Sequence, residues 1–243
     1  MSQQEERQLE GRRAIAEALA AGRPVDKLYV LSGAKGLGAL IGAAREAGSA
    51  VVQCDRDRLD RLSQTGSHQG VIATVAAYAY GSVEALFGGI DKDFLCVVCD
   101  GIHDERNLGA VIRTAEAVGA NGLVVPKRRS ATLSPVTARA AAGAAEHLPV
   151  IRVPGIPAFL RDLRDQGVWI YGAAGDAGEN ALETSFSLPA ALVMGNEEEG
   201  LHRLTRELCD HLISLPMRGK TASLNVSCAA AILLYRMRWS AHA

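Results

Sequence analysis

The sequence predicts an α/β protein built in two parts, and three observations carry that prediction. Apolar runs of strand length alternate with segments of helical period along most of the 243 residues. In the second part the strands are apolar on both faces, as in a mostly parallel sheet covered by helices on two sides. Between Ala77 and Asp93 the periodicity lapses and Gly81, Gly88 and Gly89 appear, which places a linker there. The expected units are residues 1–78, a linker over 79–93, and residues 94–243.

In the first unit the apolar spacing switches between the two periods, with Gly and Pro at the joints. It reads as helix 11–20, strand 27–31, helix 37–47, strand 50–54, helix 56–62 and strand 71–75, a small α/β/α arrangement. The second unit opens with the apolar strand 94–99. Leu108, Val111, Ile112, Ala115 and Val118 then follow helical spacing, with Asn107 in the N-cap position and Gly119 as the stop. Strand 122–125, helix 135–146, strand 149–153, helix 157–166 and strand 168–173 follow. Strand 191–194, helix 204–209, strand 212–215 and a last helix over 223–238 complete the pattern.

Composition excludes several classes. With 48% hydrophobic and 22% charged residues, the chain is globular over most of its length. No apolar run approaches the roughly 20 residues that span a bilayer, and the first ten residues are polar and acidic where a signal peptide is basic then apolar. A cytoplasmic protein is expected. Five cysteines cannot all pair, and Cys96-Val-Val-Cys99 lies within an apolar strand with no second pair to complete a zinc site, so reduced thiols are expected. The histidines have no metal-ligand spacing, and no metal is expected. A net charge of -1 supplies no global attraction to nucleic acid. Binding to RNA would rest on local clusters: Arg12 with Arg13; Arg56, Arg58 and Arg61; and Lys127 to Arg129.

Ligands of parallel sheets bind at the carboxyl ends of the strands, and three segments put polar residues there. The first runs from Asp100 through Asn107 and Gly109 to Arg113. Arg113 lies roughly 120° around the helix from Asn107; spacing alone leaves both open between a cap or surface charge and a site. The second is Met194-Gly195-Asn196-Glu197-Glu198-Glu199-Gly200. A strand running into Gly195 would let a ligand approach the main chain, while the three carboxylates read as an exposed turn or as one side chain with a partner. The third leads from Leu215-Pro216 through Gly219 to Ser223-Leu224-Asn225. Ser223 reads locally as a helix cap; Asn225 has no such ready reading. Two decoys fail. Gly219-Lys220-Thr221 lacks the upstream Gly of a phosphate loop, position 214 being Ser, and Gly36-Leu37-Gly38 has its third Gly one residue late, at Gly42.

Taken together, the three segments resemble the motifs of the SpoU RNA methyltransferases. Asn107-x-Gly109-x-x-x-Arg113-x-Ala115 resembles motif 1, Gly195-x-Glu197-x-x-Gly200 motif 2, and Pro216-Met217-x-Gly219-x-x-x-Ser223-Leu224-Asn225-Val226-Ser227 motif 3. Their order and spacing match, and the resemblance covers nearly the whole chain. His68-Gln69-Gly70, Val125-Pro126-Lys127 and Ala142 to Glu146 look like the subgroup that methylates a guanosine ribose in 23S ribosomal RNA. One departure is Asp104-Glu105-Arg106, where the family usually has Pro after the Asp. Another is the acidic run from Asn196 to Glu199.

The resemblance implies a C-terminal trefoil-knotted SPOUT domain and an N-terminal unit similar to the L30e-like RNA-binding fold. It implies S-adenosylmethionine as cofactor, held through Met194, Gly195, Leu215 and Leu224. Asn107, Arg113, Glu197, Ser223 and Asn225 form the implied catalytic set. A homodimer acting on 23S rRNA is the implied assembly and substrate. A tRNA ribose methyltransferase of the same family and a non-catalytic rRNA-binding relative are the competing readings; a nucleotide-binding oxidoreductase lacks its fingerprint.

Overall fold

The computed structural model describes residues 6–76 and 79–240. The first five residues, the last three, and residues 77–78, the expected end of the first unit, lie outside that range. Two sheets organise the chain: four strands in the order β1-β4-β2-β3, and seven in the order β7-β6-β5-β10-β8-β11-β9, with β7 (Val150–Val153) and β6 (Gly122–Pro126) at one edge and β9 (Glu179–Asn180) at the other.

The first sheet contains β1 (Glu6–Glu10), β2 (Val25–Leu31), β3 (Ala50–Cys54) and β4 (Val71–Ala76). β4 pairs antiparallel with β1 and β2, and β2 pairs parallel with β3. Helices α1 (Arg12–Ala20) and α2 (Gly38–Glu46) bury Ile15, Ala18 and Ala44 against Leu28, Val30 and Ala73 on one face. On the other, α3 (Arg56–Leu62) buries Leu59 against Ile72 and Tyr29. This alternation of β2 and β4 residues between faces is the period of two that any pleated strand imposes.

The second sheet is parallel at every pairing. At its centre β5 (Leu95–Asp100) and β10 (Ala190–Gly195) are buried at every position, which only a sheet covered on both faces allows. Leu95, Val97 and Cys99 face α5 (Glu105–Ala117) and the last helix, α9 (Val226–Ser240). Phe94, Cys96 and Val98 face α7 (Ile156–Asp165) and α4 (Val83–Gly88). The expected linker is therefore more than a tether. Ser82 caps α4 by accepting from the Ala85 N–H, and Phe87 stacks on Phe159 at 5.8 Å.

Three expected boundaries change, each for a capping reason. α5 begins before Asn107, because the Asp104 carboxylate accepts from the Arg106 and Asn107 N–H groups at 2.6 and 3.2 Å. Glu105 then sits at the first helical position, which favours both Pro and acidic residues, so its departure from the family pattern costs the helix little. The expected helix 135–146 stops at Ala141, where Ala142 and Gly143 turn left-handed before a short 3-10 turn over Ala144–Glu146. α9 starts at Val226: Asn225, and not Ser223, accepts from the Ser227 N–H at 2.9 Å. Burying Leu233, Leu234 and Met237 stabilises by roughly 2 kcal/mol each, more than the ~1 kcal/mol of a cap. Packing decides where α9 lies, and Asn225 decides where it begins.

The two units are joined by more than the chain. A Cβ on Gly143 (φ +97°) would come within 2.2 Å of Glu17 Cγ on α1, so only glycine permits this approach. Beside it, Arg23 pairs with Glu146 at 2.9 Å, both side chains being nearly inaccessible. Ala138 of α6 (Pro135–Ala141) belongs to the core of the first unit. No helix among the described residues is long and apolar enough to cross a membrane.

Candidate active site

β8 (Trp169–Ala173), β10 and β11 (His211–Ser214) end side by side. The segments that follow them, with the approach to α9, enclose a cavity of about 590 Å³. Its floor is apolar, from Met194, Ile213, Leu215 and Leu233. Its rim carries the carboxylates of Asp176, Glu197, Glu198 and Glu199 against a single guanidinium, Arg206. Such a lining suits a ligand with a flat apolar portion and a cationic centre, bound partly through main-chain groups.

Motif 2 folds back on itself. Asn196 and Gly200 exchange backbone hydrogen bonds at 3.0 and 3.1 Å, and the Asn196 side chain accepts from the Glu198 and Glu199 N–H groups. A Cβ on Gly195 would lie 2.2 Å from the Gly200 carbonyl carbon and 2.4 Å from the Leu201 nitrogen. What crowds Gly195 is the protein's own chain, a different cause from the ligand approach suggested by the sequence. The turn leaves Glu197, Glu198 and Glu199 exposed.

One of these carboxylates has a partner. Asn107 Nδ2 donates to Glu197 Oε1 at 2.8 Å, and Asn225 Nδ2 donates to Asn107 Oδ1 at 3.0 Å. Asn225 Oδ1 in turn accepts from the Ser227 N–H and, at 2.6 Å, from its hydroxyl. Each amide therefore has one orientation that satisfies all its neighbours. Because Asp104 caps α5, the Asn107 side chain is spared for this chain, which links one residue from each motif. Gly109 has a packing duty: a Cβ there would lie 2.5 Å from both Ala140 Cβ and Thr137 O, so it sets how closely α5 meets α6.

The sequence-derived residues thus fall into two groups. Met194, Gly195, Glu197, Leu215, Ser223, Leu224 and Asn225 line the cavity, and Asn107 reaches it through Glu197 and Asn225. Leu224 is 40% exposed at the mouth. Arg113 lies outside this lining, exposed on α5, with no hydrogen-bond or ion-pair partner among the described residues. Sequence reasoning missed Asp176 and Arg206, which pair at 2.7 Å on the rim. The Arg206 hydrogen bond holds the Asp176 carboxyl below its ordinary range. Asp176 also follows a strand, so the rule that found the other three segments could have found this fourth. Also missed was His202, whose Nδ1 lies 3.0 Å from the buried Asp100 carboxylate. Among the described residues no group of three or more His, Cys, Asp or Glu could hold a metal.

Residues 94–235 match the SpoU rRNA Methylase family, more than half of the chain. The chain belongs to the SpoU family. Residues 8–81 match the RNA 2′-O ribose methyltransferase substrate binding family, so this SpoU protein carries a substrate-binding unit ahead of its methylase fold. It is 41% identical over 214 residues to the 23S rRNA (guanosine-2′-O-)-methyltransferase RlmB of Escherichia coli (strain K12), covering 86% of this chain and 88% of that protein. To the enzyme of the same name from Ralstonia nicotianae it is 42% identical, covering 79% and 78%. The SpoU methyltransferase AviRb from Streptomyces viridochromogenes, solved in complex with the cofactor AdoMet, superposes with a TM-score of 0.82 at 28% identity. That match covers 96% of this chain and 89% of AviRb.

Proposed function

We propose that this protein transfers a methyl group from S-adenosylmethionine to the ribose 2′-hydroxyl of a guanosine in 23S ribosomal RNA. The observation that carries the reading is the Glu197–Asn107–Asn225 chain, which ties all three motif segments together at the mouth of one cavity. The relatives named 23S rRNA guanosine-2′-O-methyltransferases, at 41–42% identity, support the substrate.

S-adenosylmethionine supplies a methyl carbon activated by its sulfonium. The cavity fits it: Met194, Leu215 and Leu224 give an apolar slot, the main chain from Gly195 offers backbone groups, and the acidic rim complements the positive sulfur. In this reading the chain threads as a trefoil knot to build that cavity.

The protein's task is to align the attacking oxygen and stabilise its developing charge. A guanidinium keeps its proton. Arg113 therefore grips the phosphate beside the target ribose and stabilises O2′, while a phosphate oxygen or water takes the proton. Asn107, Glu197, Ser223 and Asn225 hold the ribose in register.

The unit before the linker, residues 1–78, presents the RNA, with Lys127 to Arg129 as a further basic contact. The enzyme works in the cytoplasm as a homodimer. The outer stripe of α9, where Ile232, Tyr235 and Trp239 are 41%, 49% and 58% exposed and the two rings stack at 5.0 Å, is the face a second copy covers.

The test is methyl transfer from labelled S-adenosylmethionine to separate pools of unmodified 23S RNA, 16S RNA and tRNA, with the modified nucleotide mapped by its block to alkaline cleavage. Label at a guanosine ribose in 23S RNA is expected, and label confined to tRNA would overturn the substrate. Arg113→Lys is expected to lose most activity. Near-intact turnover would exclude the bidentate grip.

A further inference from the structure

A group of positive charges lies away from the methyl-transfer cavity, at the seam between the two units. The loop between α3 and β4 is anchored from below by Glu10. Its buried carboxylate accepts from the Ser63 hydroxyl, the Thr65 hydroxyl and the N–H groups of Gln64 and Thr65. The far end of the loop is equally fixed. His68 Nδ1 accepts from the Gly70 N–H at 3.0 Å, so its Nε2 carries the proton and donates to Asp60 at 2.9 Å. Gln69 is held at φ +53°, where its carbonyl and side chain accept from the Arg12 Nε and N–H.

Over this fixed loop opens a cavity of about 680 Å³ whose lining includes Arg12, Lys35, Arg56 and Arg139. The only carboxylate on it, Asp60, is engaged by His68. Lys35 and Arg56 have no hydrogen-bond or ion-pair partner among the described residues. Arg139 comes from α6, part of the methylase fold, and donates to Thr65 Oγ1 at 2.9 Å, which leaves its second terminal nitrogen uncommitted. No Phe, Tyr or Trp lines the cavity, so it offers no platform on which an unpaired base could stack. In a chain of net charge -1, four cations gathered around a rigid loop from separate elements select for a concentrated anion.

We propose that this cleft binds the phosphodiester backbone of folded RNA, gripping neighbouring phosphates without reading bases. Because Arg139 rides on the methylase fold and the other three cations on the first unit, the grip spans both units and registers the RNA against the cavity beyond. The inference rests on the RNA-methylating reading and adds to it a binding site of defined chemistry.

The experiment uses the full chain carrying Lys35→Gln and Arg56→Gln together. Neither side chain has a partner to lose, and thermal unfolding checks the fold. Binding of transcribed 23S RNA is titrated at several salt concentrations, beside methyl-transfer kinetics and cofactor affinity. Removing two phosphate contacts should make the slope of log K against log salt shallower by about 1.5, since each contact contributes roughly 0.7 to 0.9. The dissociation constant and KM for RNA should rise roughly ten-fold near physiological salt, while affinity for S-adenosylmethionine stays unchanged. An unchanged slope and affinity would overturn the proposal, as would a loss confined to kcat. A shallower slope in a protein that methylates none of the RNA pools would overturn the function and leave this binding site standing. Normal methylation with an unchanged slope would do the reverse.

Discussion

Asn107 donates to Glu197 at 2.8 Å across ninety residues of sequence, from the first turn of α5 to the fold-back after β10. With Asn225 on its other side, the Asn107 side chain touches both of the other motifs. Asn107→Ala should therefore lower kcat about 100-fold, the cost of a misplacement of about 1 Å in a reacting group, with cofactor affinity changed less than about three-fold. Asn107→Asp keeps the shape but sets a second carboxylate against Glu197, and should be at least as damaging. Steady-state methyl transfer and calorimetry measure the two effects. An equal loss in both would place Asn107 under cofactor binding.

Two motif glycines have different neighbours and should fail differently. In Gly109→Ala the new methyl meets Ala140 and Thr137 O at 2.5 Å, and overpacking of this kind costs about 3 kcal/mol, a fall in Tm of roughly 10 °C. Gly195→Ala collides with the Gly200 backbone and should abolish cofactor binding by forcing the fold-back open. Gly42→Ala, inside α2 with nothing within 4 Å, should instead stabilise by roughly 0.5–1 kcal/mol. Thermal unfolding of all three would show a common sign only if these clashes were relieved elsewhere.

Glu10 sets an acid limit on the first unit. Burial alone would raise its pKa, but the hydrogen bonds from Ser63, Thr65 and the Gln64 and Thr65 backbone outweigh it and hold the carboxyl below the ordinary 4.5. The folded value being the lower one, this stability is complete above the unfolded pKa and is lost as pH falls through the folded one. Stability should decline below about pH 4.5. In Glu10→Gln that acid limb should flatten, while stability at neutral pH drops. Denaturant melts between pH 3 and 7 report it; a parallel offset at every pH would remove Glu10 from the acid limb.

The thiols give a readout of the proposed dimer. Burial pushes Cys96 and Cys99 well up, and Cys209 up to about 12, whereas Cys228 lies exposed on α9. A thiol reagent should label one cysteine per chain quickly in dilute protein, and more slowly as concentration rises and the α9 stripe is covered. Ile232→Glu should keep the labelling fast at all concentrations. Fast labelling in a species that sediments as a dimer would put the interface elsewhere.

The elements that the sequence made legible are those whose own residues specify them. β3 and α3 match their expected bounds because their apolar spacing is bracketed by turn residues and, for α3, by the Asp55 cap. β1 was invisible because Glu-Arg-Gln-Leu-Glu holds one apolar residue, and pairing with β4 makes it a strand. The start of α5 was placed late because its first turn is polar and exposed, so the apolar period begins only at Leu108. The site was legible as three motifs and not as a geometry. Hydrogen bonds spanning 90 and 118 residues depend on strand order, which no local pattern carries. Ala142 to Glu146 was legible only by resemblance; in the fold it is the seam, with Gly143 against Glu17 and Glu146 against Arg23.

Asn225 and α9 also give the protein a timetable. As the chain leaves the ribosome, β5, α5 and Asn107 emerge early, and β10 with Glu197 later, yet the cavity still lacks Leu215 and one wall. Only when α9 follows does Asn225 reach Asn107, while at its other end the Arg238 guanidinium donates to the carbonyls of Asp93, Val118 and Gly119. That contact latches the last helix to the loop before β5 and to the turn after α5. A nascent chain ending at Gly200 should bind no S-adenosylmethionine. Catalytic competence would then arrive with the final helix, so an unfinished copy could dock on RNA without modifying it.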